Sequence, residues 1–192
     1  MENIGAISYA TGAGVFLILS LVLMTGQRGR PHKVALMLAS LVSAVWLGVA
    51  AYCISHDLSL LPAYLLEPLR NLALFAFLIR VLSAAYRQPA EAGGYFRRTL
   101  SLFASFSLLM MTLVLYRVAA SHPVAVVGGM DFLLAGFLVM AITGLVLVEQ
   151  VIRNARSESR RSVKYLCMGL GALFAYDFYL YSHALLFQQI DQ

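Results

Sequence analysis

The 192 residues are 61% hydrophobic and only 12% charged, where an ordinary soluble domain carries roughly a quarter charged residues. A soluble fold of this size cannot hide that much apolar surface, so the composition excludes a water-soluble globular domain and implies an integral membrane protein. The formal net charge of +5 does not argue for a nucleic-acid partner, because the basic residues fall in short loops between apolar stretches rather than on one face.

Span one is expected over Ile4–Thr25. It has no basic leader before the hydrophobic run and carries Glu2, so it reads as an uncleaved first span and not as a signal peptide. Gly12 and Gly14 would let a neighbouring helix approach closely. The cluster Arg28, Arg30 and Lys33 follows, with Pro31 separating the spans. Its charge places this end on the cytoplasmic side and the N-terminus outside.

Span two, Val34–Ile54, carries Trp46 and Tyr52 in its later half and ends at Ser55, His56 and Asp57. Span three, Ala63–Tyr86, is opened by Pro62, which a first helical turn accepts. It is the most polar of the set, with Glu67, Pro68, Arg70 and Asn71 near its outer end and Arg80 near its inner end. Arg80 would snorkel toward the inner headgroups. Arg70 would reach the outer headgroups or an acidic partner inside the bundle.

The stretch Arg87–Arg98 contains Arg87, Arg97 and Arg98, with Pro89 and the Gly93–Gly94 pair as breakers, and reads as an inner loop. Span four, Thr99–Arg117, has Ser101, Ser105 and Ser107, whose hydroxyls can bond to their own helix carbonyls or to a neighbour. Span five, Val127–Val151, places Asp131 in its first turns, where a carboxylate meets the positive end of the helix dipole. Glu149 and Arg153 form an i,i+4 pair at its inner end. The loop after it contains Arg153, Arg156, Arg160, Arg161 and Lys164 against Glu158 alone.

Span six is Val163–Phe187. The three loops placed inside hold eleven of the fourteen Lys and Arg, divided three, three and five. The expected fold is therefore an all-α polytopic transmembrane bundle of six spans forming one domain, with both termini outside. No internal repeat, heptad seam or low-complexity tract is evident. An outside C-terminus at Gln192 leaves two options: action within the membrane, or the front part of a longer protein.

Asp177 is the sharpest single residue. It lies near the midplane of a hydrocarbon core about 30 Å thick, where a charge costs at least about 2.5 kcal/mol and must be paired, protonated or wet. Arg70 would sit about 6 Å further out at 1.5 Å per residue, which suggests an Arg70–Asp177 contact. Tyr176, Tyr179 and Tyr181 surround Asp177 in sequence and can either pack or line a pocket. With Glu67 and Asn71, these residues make up the candidate polar cluster for signalling or packing.

Arg28, Arg30, Lys33, Arg97, Arg98, Arg153, Arg156, Arg160, Arg161 and Lys164 are the candidates for fixing topology and touching lipid headgroups. His56, His122 and His183 all fall at the outer side, which invites a metal or pH-sensing idea. Their spacing gives no ligand motif, and no metal is expected. Cys53 and Cys167 read as small apolar fillers that form no disulfide. No phosphate loop, metalloprotease helix or nucleophile elbow is present, so no catalytic residue is assigned.

The stretch Lys164–Tyr181, reading KYLCMGLGALFAYDFYLY, with Ala184–Phe187, Ile190–Asp191, Val148–Gln150 and Arg153–Asn154, resembles the membrane region of the PrsK family. These are sensor histidine kinases associated with the PEP-CTERM/exosortase exopolysaccharide systems of Gram-negative bacteria. The resemblance implies a sensory or anchoring region in the bacterial inner membrane that relays a signal to a cytoplasmic kinase. It also implies a homodimer and a response-regulator partner. ATP and Mg would belong to the kinase part, which these 192 residues do not contain; this chain itself is expected to hold no cofactor. The rival classes are a small transporter or channel with a polar path at Asp177, and a structural membrane subunit.

Overall fold

A computed structural model describes residues 2–25, 31–85, 89–120, 126–127, 130–154 and 160–187. Among these residues there are six long helices: α1 (Glu2–Thr25), α2 (Pro31–Ser55), α3 (Leu61–Ala85), α4 (Pro89–Ala120), α5 (Phe132–Asn154) and α6 (Arg160–Phe187). The fold is an all-α, membrane-embedded bundle apart from one small hairpin. Four stretches are long and apolar enough to cross a bilayer: Ile4–Thr25, Lys33–Ser55, Phe96–Tyr116 and Phe132–Asn154. The chain divides into two compact units, Met1–Arg80 and Val81–Gln192.

In the first unit α1 lies along α2. Gly12 makes this possible, since a Cβ there would come within 3.3 Å of the Leu47 side chain, whereas Gly14 faces open space. Tyr9 meets Trp46 edge to face at 6.1 Å. Hydroxyls inside these helices turn back on their own backbone, as in Thr11 to Ile7 O, Ser40 to Leu36 O and Ser43 to Ala39 O. Such bonds satisfy a polar group where no water can.

α2 ends in a capping turn. Leu58 N–H donates to Cys53 O at 2.9 Å and Asp57 N–H donates to Ile54 O at 3.5 Å, while Asp57 adopts a φ of +50°. This is the arrangement in which a left-handed residue closes a helix and ties up its last carbonyls. Glycine usually fills that position; here it is aspartate.

In the second unit α5 and α6 form the principal pair. The buried side of α6 repeats at alternating three- and four-residue spacings through Cys167, Leu170, Phe174, Asp177, Tyr181 and Ala184. Gly144 of α5 lies against the Phe174 ring and Gly136 lies against Met110 of α4, so closely that a Cβ at either would overlap its neighbour. Gly171 is an ordinary contact distance from Val148, 3.7 Å, and Gly169 meets nothing.

Three expectations are corrected. Arg87–Arg98 is not a loop, because α4 is helical from Pro89 onward. Proline fits the first helical position, where its missing N–H has no partner to lose. Gly93 and Gly94 each weaken a helix by only about 1 kcal/mol relative to alanine, so they do not stop it. Span five begins later than Val127, because Val126 and Val127 pair with Asp131 and Met130 in an antiparallel hairpin. β-branched residues on one side of a Gly-Gly sequence favour that pairing. Asp131 therefore sits in the strand before α5 and not in its first turns. Finally, a 3–4 seam runs along α6 where none was read from the sequence.

Candidate functional site

The residues singled out for a polar cluster lie in different units and are described within each. In the first unit the centre is Trp46. Its indole Nε1–H donates to Ala63 O at 3.0 Å, tying α2 to the opening turn of α3. That turn lies just before Pro68, which has no N–H to give the helix and crowds the carbonyl four residues back.

Two turns beyond Ala63 along α3, the Arg70 guanidinium carbon lies 4.1 Å from the centroid of the Trp46 ring. Arg70 is only 3% exposed, and its Nη2 donates to Asn71 Oδ1 at 3.3 Å. A buried charge without compensation costs several kcal/mol. A desolvated aromatic face returns about 2 kcal/mol of this, and the charged hydrogen bond adds to it. Arg70 was expected to reach headgroups or an acidic partner; the indole face is one of its contacts within this unit. Glu67, Arg70 and Asn71 are spaced three and four apart, share one face of α3 and are all buried.

In the second unit Asp177 is 7% exposed and lies on the face of α6 that packs on α5. Tyr181, one turn on, shares that face and stacks on Phe137 of α5 with ring centroids 5.3 Å apart. Tyr176 and Tyr179 do not join them. They are 59% and 65% exposed and occupy the opposite side of the helix. The structure thus separates the three tyrosines into one core residue and two on an outer face.

The outer histidines are described each within its own unit. His56 turns back on its own helix end, with Nδ1 2.9 Å from Ser55 Oγ and 3.1 Å from Tyr52 O, and its ring lies 4.3 Å from that of Tyr52. His183 sits 6.0 Å from the Tyr179 ring. His122 lies outside the described residues. Among the described residues no group of three His, Cys, Asp or Glu could hold a metal ion. Cys53 and Cys167 are both buried free thiols.

Of the basic residues, Arg97, Arg98, Arg153 and Lys164 are exposed and Lys33 is half-buried near the start of α2. Arg160 and Arg161 open α6. Arg28, Arg30 and Arg156 lie outside the described residues. Arg153 pairs with Glu149 at 3.4 Å, as its i,i+4 spacing suggests; an exposed pair of this kind contributes about 0.3–0.5 kcal/mol. On α4, Ser101 and Ser105 bond back to Arg98 O and Leu102 O. The Ser107 hydroxyl is buried and has no hydrogen-bond partner among the described residues.

Sequence reasoning missed an apolar groove of about 470 Å³ beside the capping turn, lined by Val45, Val49, Tyr52, Cys53, Leu58 and Pro62 among others. It also missed Gly136 and Gly144, the closest helix approaches in the second unit. Small residues in an apolar span were an available signal; eight residues turn the second about 80° from the first, so Gly136 meets α4 and Gly144 meets α6.

Comparison of the chain with protein-family models, curated proteins and solved structures finds no match.

Proposed function

We propose that this chain is the sensory or anchoring membrane region of a sensor histidine kinase of the PEP-CTERM/exosortase type, set in a bacterial inner membrane. The reading starts from the resemblance carried by α6 and its flanks. The observation that supports it most is the buried charged face of α3, with Arg70 held on Trp46 between apolar helices. A charge held inside a membrane bundle costs stability and marks a functional position by default. Its nearest described contacts link α2 to α3, so a ligand or lipid change at the outer ends of these helices would be felt as a change in their packing.

In this proposal all six helices cross the membrane, with both termini outside. α3 has 25 residues and α6 has 28, so they extend about 38 and 42 Å at 1.5 Å per residue, enough for a core of about 30 Å. Their polar residues are tolerable there because Glu67, Arg70, Asn71 and Asp177 are buried within the protein. The basic residues flanking the helices then face the cytoplasm and its anionic headgroups. The signal would pass to a cytoplasmic kinase carrying ATP and Mg, and from there to a response regulator.

The test is the genomic sequence downstream of the codon for Gln192. Further spans followed by a kinase domain are the expected result. A stop followed by an unrelated reading frame would contradict the sensor assignment.

A further inference from the structure

The groove at the junction of α2 and α3 changes its chemistry along its length. Val45, Gly48, Val49, Cys53, Leu58 and Pro62 make it apolar apart from one buried thiol. Its polar lining residues, Tyr52 and Ser59, are at the end where α2 stops, and Ser55, His56 and Asp57 continue the polar rim there. The volume of about 470 Å³ is that of a small-molecule site. Among the described residues the groove stays open: Val45, Tyr52 and Leu58 are exposed, and a Cβ on Gly48 would meet nothing within 4 Å.

Depth and charge select the occupant. From Val45 to Ser55 the helix rises about 15 Å at 1.5 Å per residue, one leaflet of a hydrocarbon core about 30 Å thick. An apolar channel of that length with hydroxyls and an imidazole at its interfacial end matches a single lipid chain whose head lies beside Ser55. No Lys or Arg occurs between Lys33 and Arg70, and Arg70 is buried against Trp46, so the rim offers an anionic head no fixed cation. It offers instead the exposed carboxylate of Asp57, which attracts an ammonium and repels a second anion. His56 engages Ser55 Oγ and Tyr52 O through Nδ1, which leaves Nε2 for a phosphate oxygen.

We infer that the groove seats one chain of an amine-bearing zwitterionic phospholipid, phosphatidylethanolamine, with its ammonium at Asp57 and its phosphate beside His56 and Ser59. Pro62 on the groove wall adjoins Ala63, whose carbonyl accepts the Trp46 indole N–H at 3.0 Å. A chain seated against Pro62 therefore bears on the turn that ties α2 to α3, the junction at which the proposed sensory role places the response. The inference rests on that reading for the placement of α2 across the bilayer, and supplies it with a ligand.

Trp46 is the chain's single tryptophan, and it lies about 14 Å from Ser55 along α2, near the bilayer centre. Bromine quenches indole fluorescence at close range, so lipids brominated toward their methyl ends report a chain beside Trp46. The full chain is placed in nanodiscs of unbrominated phosphatidylcholine doped with brominated phosphatidylethanolamine or brominated phosphatidylglycerol. The ethanolamine lipid is expected to quench saturably at low mole fraction and severalfold more strongly than the glycerol lipid. Gly48→Leu, which fills the groove, should reduce quenching by the ethanolamine lipid to the level of the glycerol lipid. Asp57→Asn keeps a residue that tolerates the left-handed turn and should abolish the preference between the two.

Quenching that is equal for both lipids in the wild type, stronger for the glycerol lipid, or unchanged by Gly48→Leu would overturn the site and leave α2 in the membrane. Absence of quenching by either lipid would take Trp46 out of the hydrocarbon and overturn the site and the membrane placement of α2 together.

Discussion

Arg70 of α3 rests on the ring of Trp46 of α2, 4.1 Å from guanidinium carbon to ring centroid, and the same indole donates its N–H to Ala63 O. One side chain thus serves the charge and the backbone of α3 together. Trp46→Phe keeps an aromatic face but loses the donor, and is expected to cost about 1–2 kcal/mol. Trp46→Ala removes both and leaves a buried guanidinium over a cavity, for a loss of about 3–5 kcal/mol. Reversible unfolding in mixed micelles measures both; equal losses for the two variants would mean that the aromatic face under Arg70 contributes nothing beyond the N–H.

Gly144 lies under the Phe174 ring with no room for a side chain. Gly144→Val is expected to destabilise the α5·α6 pair by about 1–3 kcal/mol through overpacking. Phe174→Ala should be destabilising alone yet recover part of the loss when combined with Gly144→Val, because the added methyls enter the space that the ring vacates. Additive losses in the double variant would show that the two positions do not share that space. Gly14→Ala, where nothing lies within 4 Å, should be neutral or stabilising by up to about 1 kcal/mol.

Asp57 holds a φ of +50° at the end of α2. Asp57→Gly should raise stability by about 0.5–1 kcal/mol by removing the strain of a left-handed side-chain-bearing residue. Asp57→Val should lower it. The melting temperature of the two variants in detergent gives the sign directly, and a glycine variant less stable than wild type would place the aspartate side chain in a role beyond the turn.

Much of this was legible in the residues. Apolar runs of about twenty with basic residues between them left few choices for the helices, and α1, α2, α3 and α6 end within a few residues of where composition places them. The exceptions have local causes. The glycine pair at 93–94 looks like a break but lies inside a helix that Pro89 can open. Val-Val-Gly-Gly-Met-Asp looks like the start of an apolar span but pairs with itself.

The site was legible in its residues and not in its arrangement. Arg70, Glu67, Asn71 and Asp177 stand out because charge in an apolar run is rare, and all four are buried. Nothing in the sequence says that an indole 24 positions earlier faces Arg70, since that depends on how α2 and α3 cross. The division of Tyr176 and Tyr179 from Tyr181 was within reach, because helical periodicity alone separates them; proximity to Asp177 along the chain hid it.

The account stands on the chain's orientation in the membrane. Fusing a periplasm-active phosphatase and a cytoplasm-active fluorescent reporter in turn after Arg30, Asp57, Gln88, Pro123 and Arg156 measures it directly. Fluorescence after Arg30, Gln88 and Arg156, with phosphatase activity after Asp57 and Pro123, is the predicted result. Phosphatase activity after Gln88 or Arg156 would contradict it.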